Sequence, residues 1–144
     1  MPPAAPQLIG LPYDASSSFR RGAAAGPPLI RRALWSPAGN HFTENGADLA
    51  ALTDAGDLAL SETPEEAREQ IEMGVGVVLA GGFQPIALGG DHSVSYPVLR
   101  AVTAERPTLT ILHIDAHGDL YDEFEGDRYS HACPFARILE DCPG

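Results

Sequence analysis

Apolar residues along the chain fall into compact runs and longer, charge-mixed stretches. The compact runs are LIGL within Gln7 to Asp14, Phe83 to Leu88, and LTILHI from Leu109 to Ile114, each bounded by Gly, Pro or Asp. Short apolar runs with such boundaries predict buried strands, and the β-branched residues of Leu109 to Ile114 predict a strand covered on both faces. A weaker strand, Leu52 to Leu60, is interrupted by Gly56. The longer stretches predict helices: PPLIRRAL from Pro27, Thr63 to Ala80, Val94 to Glu105, and a last one beginning near Phe135. Prolines sit in their first turns, where the missing N–H costs nothing. Thr63 stands at an N-cap position, Glu65, Glu66 and Glu69 suit the positive end of the helix dipole, and Gly81-Gly82 stops the helix.

Strands alternating with helices predict an α/β fold, a parallel sheet flanked by helices. In such sheets ligands bind beyond the carboxyl ends of the strands. Two polar motifs stand there: Gly89-Gly90-Asp91-His92-Ser93 after one run and Asp115-Ala116-His117-Gly118-Asp119 after another.

Composition narrows the chemistry. The 144 residues carry 20 Asp and Glu against nine Arg, a formal net charge of −11, and no lysine. The negative surplus repels phosphate backbones and anionic lipid heads, so neither nucleic acid nor a membrane surface is expected as a partner. The missing lysine excludes Schiff-base catalysis and a Walker phosphate loop. Cys133 and Cys142 form no CxxC pair and predict reduced thiols; with no basic, apolar leader and no run of ~18 apolar residues, a cytoplasmic protein is expected.

Asp115, His117 and Asp119 are spaced by two. If strand geometry persists to its end, their side chains share one side, and His92 adds an imidazole from a neighbouring strand end. Two carboxylates crowded together repel unless a cation or a proton compensates. Mixed carboxylate and imidazole without thiolate suits Mn, Fe, Ni or Zn, and the oxygen-rich set leans toward Mn. Two ions ~3.5 to 4 Å apart, bridged by Asp115, would hold a water and lower its pKa for attack on an electrophilic carbon. Alternatively the acids and histidine are solvated turn residues, Gly89-Gly90 is a strand-to-helix turn, and Ser93 caps the next helix. Paired motifs at two strand ends favour the metal site. His41 and His113 are assigned no function, the latter read as a core or supporting histidine inside an apolar run. Arg20-Arg21 and Arg31-Arg32 are read as surface or interface arginines.

GGDHS at Gly89 to Ser93 and HIDAHGDLYD at His113 to Asp122 resemble two signatures of the ureohydrolase superfamily, which includes arginase, agmatinase, guanidinobutyrase, proclavaminate amidinohydrolase and formimidoylglutamase. The N-terminal IGLPYDASSSFRRGAAAGPPLIRRAL, TDAGD at Thr53 to Asp57 and YSHACPFARI at Tyr129 to Ile138 are also similar to that family, especially its agmatinase-like branch. The resemblance implies an arginase-like α/β/α fold and a manganese-dependent amidinohydrolase that cleaves a guanidino C–N bond by a metal-bridged hydroxide and releases urea. It implies two Mn2+ ions, with His92 a ligand of one, His117 of the other, Asp115 bridging both and Asp119 a ligand of the first. His131 matches the histidine proposed as proton shuttle, a role suited to an imidazole near neutrality. Homotrimers or hexamers are implied.

The loop Asp122 to Asp127 is acidic and lacks the asparagine and serine groups that bind an amino-acid end in arginase; either these acids are simply solvated loop residues, or they form a rim that suits a small cationic guanidino substrate such as agmatine, the substrate toward which the reading leans. Guanidinobutyrate, guanidine and formimidoylglutamate stay open as substrates. The family's third metal motif, SxDxDxxDP, has no counterpart. Residues 1–144 are therefore read as the N-terminal part of a single domain whose C-terminal part is absent, with little activity alone. An inactive assembly or binding remnant is the alternative; a single-zinc deacetylase-like amidohydrolase is a further one.

Overall fold

A central parallel strand, β1 (Pro6–Gly10), is flanked by β2 (Thr53–Asp57) and β3 (Gln84–Leu88) in the order β2-β1-β3. The computed structural model describes residues 4–142; the first three residues of the proline-rich lead, Pro143 and Gly144 lie outside them. Parallel strands require crossovers: α1 (Gly26–Leu34) joins β1 to its neighbour β2, and α2 (Pro64–Ala80) carries the chain from β2 past β1 to β3 on the other edge. Helix α3 (Ser95–Glu105) follows β3, and α4 (Pro134–Asp141) closes the described chain. This is the expected parallel sheet flanked by helices. No described helix is long and apolar enough to cross a membrane.

Leu8 and Ile9 are both buried, and adjacent strand residues face opposite sides, so β1 is covered on both faces. On one face Ile9, Leu11 and Tyr13 pack with Ala67, Ile71, Val75 and Val78, the inner stripe of α2, and with Ala101 of α3. On the other, Gly10 leaves room for an ion pair: a Cβ there would overlap the Asp57 carboxylate and the Arg31 guanidinium, which would have to move aside. Arg31 of α1 uses that space to reach Asp54 at 2.7 Å, the Gly56 carbonyl at 2.8 Å, and Asp57. The sequence placed Arg31 on the surface or at an interface; its half-buried side chain instead fastens α1 to β2.

Thr63 occupies the N-cap position of α2, but its side chain makes no capping bond. Ser61 organises that entry, its hydroxyl accepting from Thr63 N at 3.1 Å while its own N–H donates to Gln70 Oε1 at 2.8 Å.

The largest departure is Leu109 to Ile114. The sequence predicts a strand buried on both faces; the structure shows no strand ladder there, and Leu112 and Ile114 are 83% and 86% exposed. A buried strand needs a partner along its edges and cover over its faces. Between the free edge of β3 and this segment lies an open trough of about 520 Å³, lined by Ala87, Val98, Leu99, Ile111, His113 and Phe135. Among the described residues no strand pairs across it, so the second motif does not follow an adjacent strand; the two motifs meet beyond the end of β3, where His92 contacts Asp119.

Candidate metal centre

The first motif is built around a close backbone approach. A Cβ on Gly90 would overlap the Tyr13 carbonyl, and the next residue, Asp91, donates its N–H to that same oxygen at 2.8 Å. The nearly buried Asp91 carboxylate accepts from Ser93 N at 3.0 Å and Ser93 Oγ at 2.5 Å through Oδ1, and from Ser16 N at 3.0 Å and Ser17 Oγ at 3.3 Å through Oδ2. Asp91, rather than Ser93, therefore caps the 3-10 turn His92–Val94, and the Ser93 hydroxyl donates to it. That turn presents His92 to the second motif.

Four side chains converge: His92, His113, Asp115 and Asp119, each offering a ligand atom, all within 4.8 Å of one another. His92 Nδ1 lies 2.5 Å from Asp119 Oδ2 and 3.9 Å from Asp115 Oδ2, and His113 Nε2 lies 3.8 Å from Asp115 Oδ2. The His113 ring stacks on Phe135 of α4 with centroids 3.9 Å apart, and its Nε2 is buried without a hydrogen-bond partner among the described residues. His113, assigned no function from the sequence, thus stands in the group. The signal for it was the HID spacing, which sets His113 two residues before Asp115.

His117 is placed differently. The chain bends at residues 115–117, Asp115 Oδ1 accepts from His117 N at 2.9 Å, and Asp119 adopts φ 46°. Strand alternation therefore stops at Asp115. The His117 side chain is 81% exposed, with Nδ1 3.6 Å from Asp115 Oδ1 and outside the compact group. Asp119 still points inward because its left-handed backbone, which Asp tolerates better than most residues, turns it back.

The donor chemistry fits a divalent cation. The N–H of His117 and then the neighbouring imidazoles of His92, His113 and His117 hold the Asp115 carboxyl below its ordinary range, so it is ionised and ready to ligate. Two carboxylates and an imidazole nitrogen with no partner suit Mn or Zn, and thiolate takes no part. Burial pushes the Cys133 thiol up, and Cys133 lies by the Asp127 carbonyl, outside the group.

His131 lies on the loop leading into α4 and is not one of the four donors. Its Nδ1 is 2.8 Å from the Ser16 carbonyl and its Nε2 is 3.4 Å from Ser18 Oγ. Beside it a cavity of about 170 Å³ is lined by Ser16, Ser18, Phe124, Glu125, Asp127 and Ser130. The acidic rim expected here is thinner than its composition. Asp122 is bound by Arg137 at 2.7 Å and Arg128 at 2.6 Å, which hold it below the ordinary carboxylate range, and Asp127 accepts from Tyr129 N at 2.7 Å. Glu123 and Glu125 make no ion pair among the described residues.

Residues 4–143 match the Arginase family. The chain is 43% identical over 148 residues to mitochondrial arginase 1 of Arabidopsis thaliana, covering 95% of this chain and 43% of that protein. It is 38% identical over 136 residues to the agmatinase of Halalkalibacterium halodurans, covering 90% of this chain and 46% of that protein. The solved arginase from Medicago truncatula superposes with a TM-score of 0.90 at 41% identity, covering 97% of this chain and 48% of that one. The chain thus spans about half the length of the relatives it matches.

Proposed function

The chain belongs to the Arginase family, and from that membership we propose that it forms the metal-binding part of a manganese-dependent amidinohydrolase, which hydrolyses a guanidino C–N bond and releases urea. The observation that carries this reading is the convergence of His92, just beyond β3, with Asp115 and Asp119 of the 115–119 segment, with one more imidazole in reach on either side. We assign the ions to His92, Asp115, His117 and Asp119; the exposed His117 ring already lies with Nδ1 3.6 Å from Asp115 Oδ1. Bound manganese would supply the Lewis acidity that makes water a nucleophile at neutral pH. The protein's own groups do the rest. Asp115 stays ionised, His92 is held by Asp119, and Phe135 walls the group on the α4 side. His131 takes up a proton at Nε2 and delivers it to the departing amine.

Glu125 and Asp127 line the cavity beside His131, so a cationic tail is welcome there and an α-carboxylate is repelled. On that ground we propose agmatine as substrate over arginine. The higher identity to an arginase favours arginine as the second reading. Two measurements test the proposal. Mn2+ titration of the chain, followed by electron paramagnetic resonance, is expected to show binding that Asp119→Ala abolishes. A chimera carrying these residues ahead of the C-terminal portion of the Arabidopsis arginase is expected to release urea from agmatine only with manganese. No manganese binding and no urea from any guanidino compound would sink the hydrolase reading, and preference for arginine would sink the substrate reading.

A further inference from the structure

The Asp91 carboxylate is saturated by four donors, two from Ser93 and two from Ser16 and Ser17, so it has no lone pair left for an ion. Its occupation fixes something else. Ser16 donates its N–H to Asp91 Oδ2 and at the same residue presents its carbonyl to His131 Nδ1 at 2.8 Å. A carbonyl oxygen only accepts, so Nδ1 must carry a proton. In the neutral ring Nε2 is then the acceptor, and the Ser18 hydroxyl at 3.4 Å is the donor that faces it. Ser130 Oγ, 3.2 Å from Nδ1, is compatible with the same assignment as a second acceptor.

We propose that Asp91 is a positioning residue: by clamping the Ser16–Ser17 backbone and hydroxyl onto the end of β3, it aims the Ser16 carbonyl at His131 Nδ1 and fixes His131 as the Nδ1–H tautomer, with the Nε2 lone pair unprotonated and facing the Ser18 hydroxyl. Three contacts hold the loop at this point, namely the Asp91 N–H on the Tyr13 carbonyl and the Ser16 and Ser17 bonds to Asp91 Oδ2. The loop therefore has little freedom to turn its carbonyl elsewhere, and the clamp transmits the position of the GGDHS turn to an imidazole whose residue number is 40 higher. A proton shuttle must keep one nitrogen able to accept, and an orienting acceptor on the other nitrogen sets which one. The usefulness of this tautomer for catalysis rests on the hydrolase reading above; the tautomer itself does not.

The test reads the imidazole directly. Long-range 1H–15N correlation spectra of the 15N-histidine-labelled chain, recorded about two units above the ordinary imidazole value of about 6.5, distinguish protonated from unprotonated ring nitrogens, and His131→Gln assigns the signals. In the unsubstituted chain His131 is expected to carry its proton on Nδ1. In Asp91→Ala the ratio of tautomers should move about fivefold toward Nε2–H, the value of one ordinary hydrogen bond. Ser17→Ala removes a single clamp contact and should shift the ratio in the same direction by a smaller factor, which keeps the test alive if Asp91→Ala fails to fold. A proton on Nε2 in the unsubstituted chain overturns the proposal, as does an unchanged ratio in a folded Asp91→Ala or, failing that, in Ser17→Ala. Because no turnover is measured, absence of urea release leaves this result standing, and the wrong tautomer leaves the hydrolase reading standing.

Discussion

Replacing Leu112 and Ile114 together by lysine distinguishes two arrangements of the segment from residue 109 to 114. In a central strand both side chains would be buried, each contributing about 1.5–3 kcal/mol, so the double replacement would remove at least about 3 kcal/mol before the cost of burying two ammonium groups. That is a large share of the about 5–15 kcal/mol that holds a typical domain together. In the structure these residues are 83% and 86% exposed. Less than a fifth of each is withdrawn from water, which scales the loss to about 1 kcal/mol or less for the pair. Urea unfolding followed by far-ultraviolet circular dichroism should give a midpoint shifted by no more than this, with an unchanged slope. Light scattering should show less self-association, since lysines discourage pairing along exposed apolar edges such as this bank of the trough. A loss above about 3 kcal/mol, or an unfolded double variant, would refute the exposed arrangement.

Three further outcomes follow from the site and its supports. Manganese titration should weaken more than about a hundredfold in His117→Ala but only about tenfold in His113→Ala, the scale of a supporting group; the reverse order would transfer the ligand role to His113. Arg137 is almost fully buried, with Nε and Nη1 unpartnered among the described residues while Nη2 serves Asp122 and Glu140. Arg137→Met should therefore change unfolding free energy by less than about 1.5 kcal/mol, whereas Arg137→Ala, which leaves a cavity, should cost about 2–4 kcal/mol; equal losses in thermal and urea unfolding would contradict this. The Gly22 and then the Ala24 backbone N–H groups lower Asp14 from its ordinary 3.8. Its contribution to stability is thus present above pH 3.8 and disappears as pH falls through the lower folded value, so Asp14→Asn should flatten the acid limb of Tm against pH below about 4, and an identical limb in both proteins would refute the contact.

The order of elements was legible because each signal is local. Proline in the first turn and the small-residue stop at Gly81-Gly82 bound α2 within one residue, and the compact runs around Leu8 and Ile86 found β1 and β3. Strand pairing is not local. Leu109 to Ile114 carries the composition of a buried strand, but composition states only what surroundings the segment favours, and the described residues supply neither a ladder partner nor a cover for Leu112 and Ile114. Arg31 illustrates the same limit in reverse. Its place across Gly10 depends on a glycine in another element and on Asp54 and Asp57, which are more than 20 residues away.

At the site, residue types were legible and directions were not. The two-residue spacing of Asp115, His117 and Asp119 converges only while the chain stays extended, and the Asp115 carboxylate itself ends that geometry by accepting the His117 N–H. The side chain expected to bind an ion thus also bends the backbone that presents its neighbours. His117 swings outward, the left-handed Asp119 returns inward to His92, and His113, still on the extended stretch, shares Asp115's side. An ion that draws on the Asp115 carboxylate competes with the His117 N–H for it, and weakening that bond frees the 115–117 bend. Metal binding and the inward turn of His117 are therefore expected to be coupled, and the exposed ring is the orientation that the Asp115–His117 bond selects before the coupling acts.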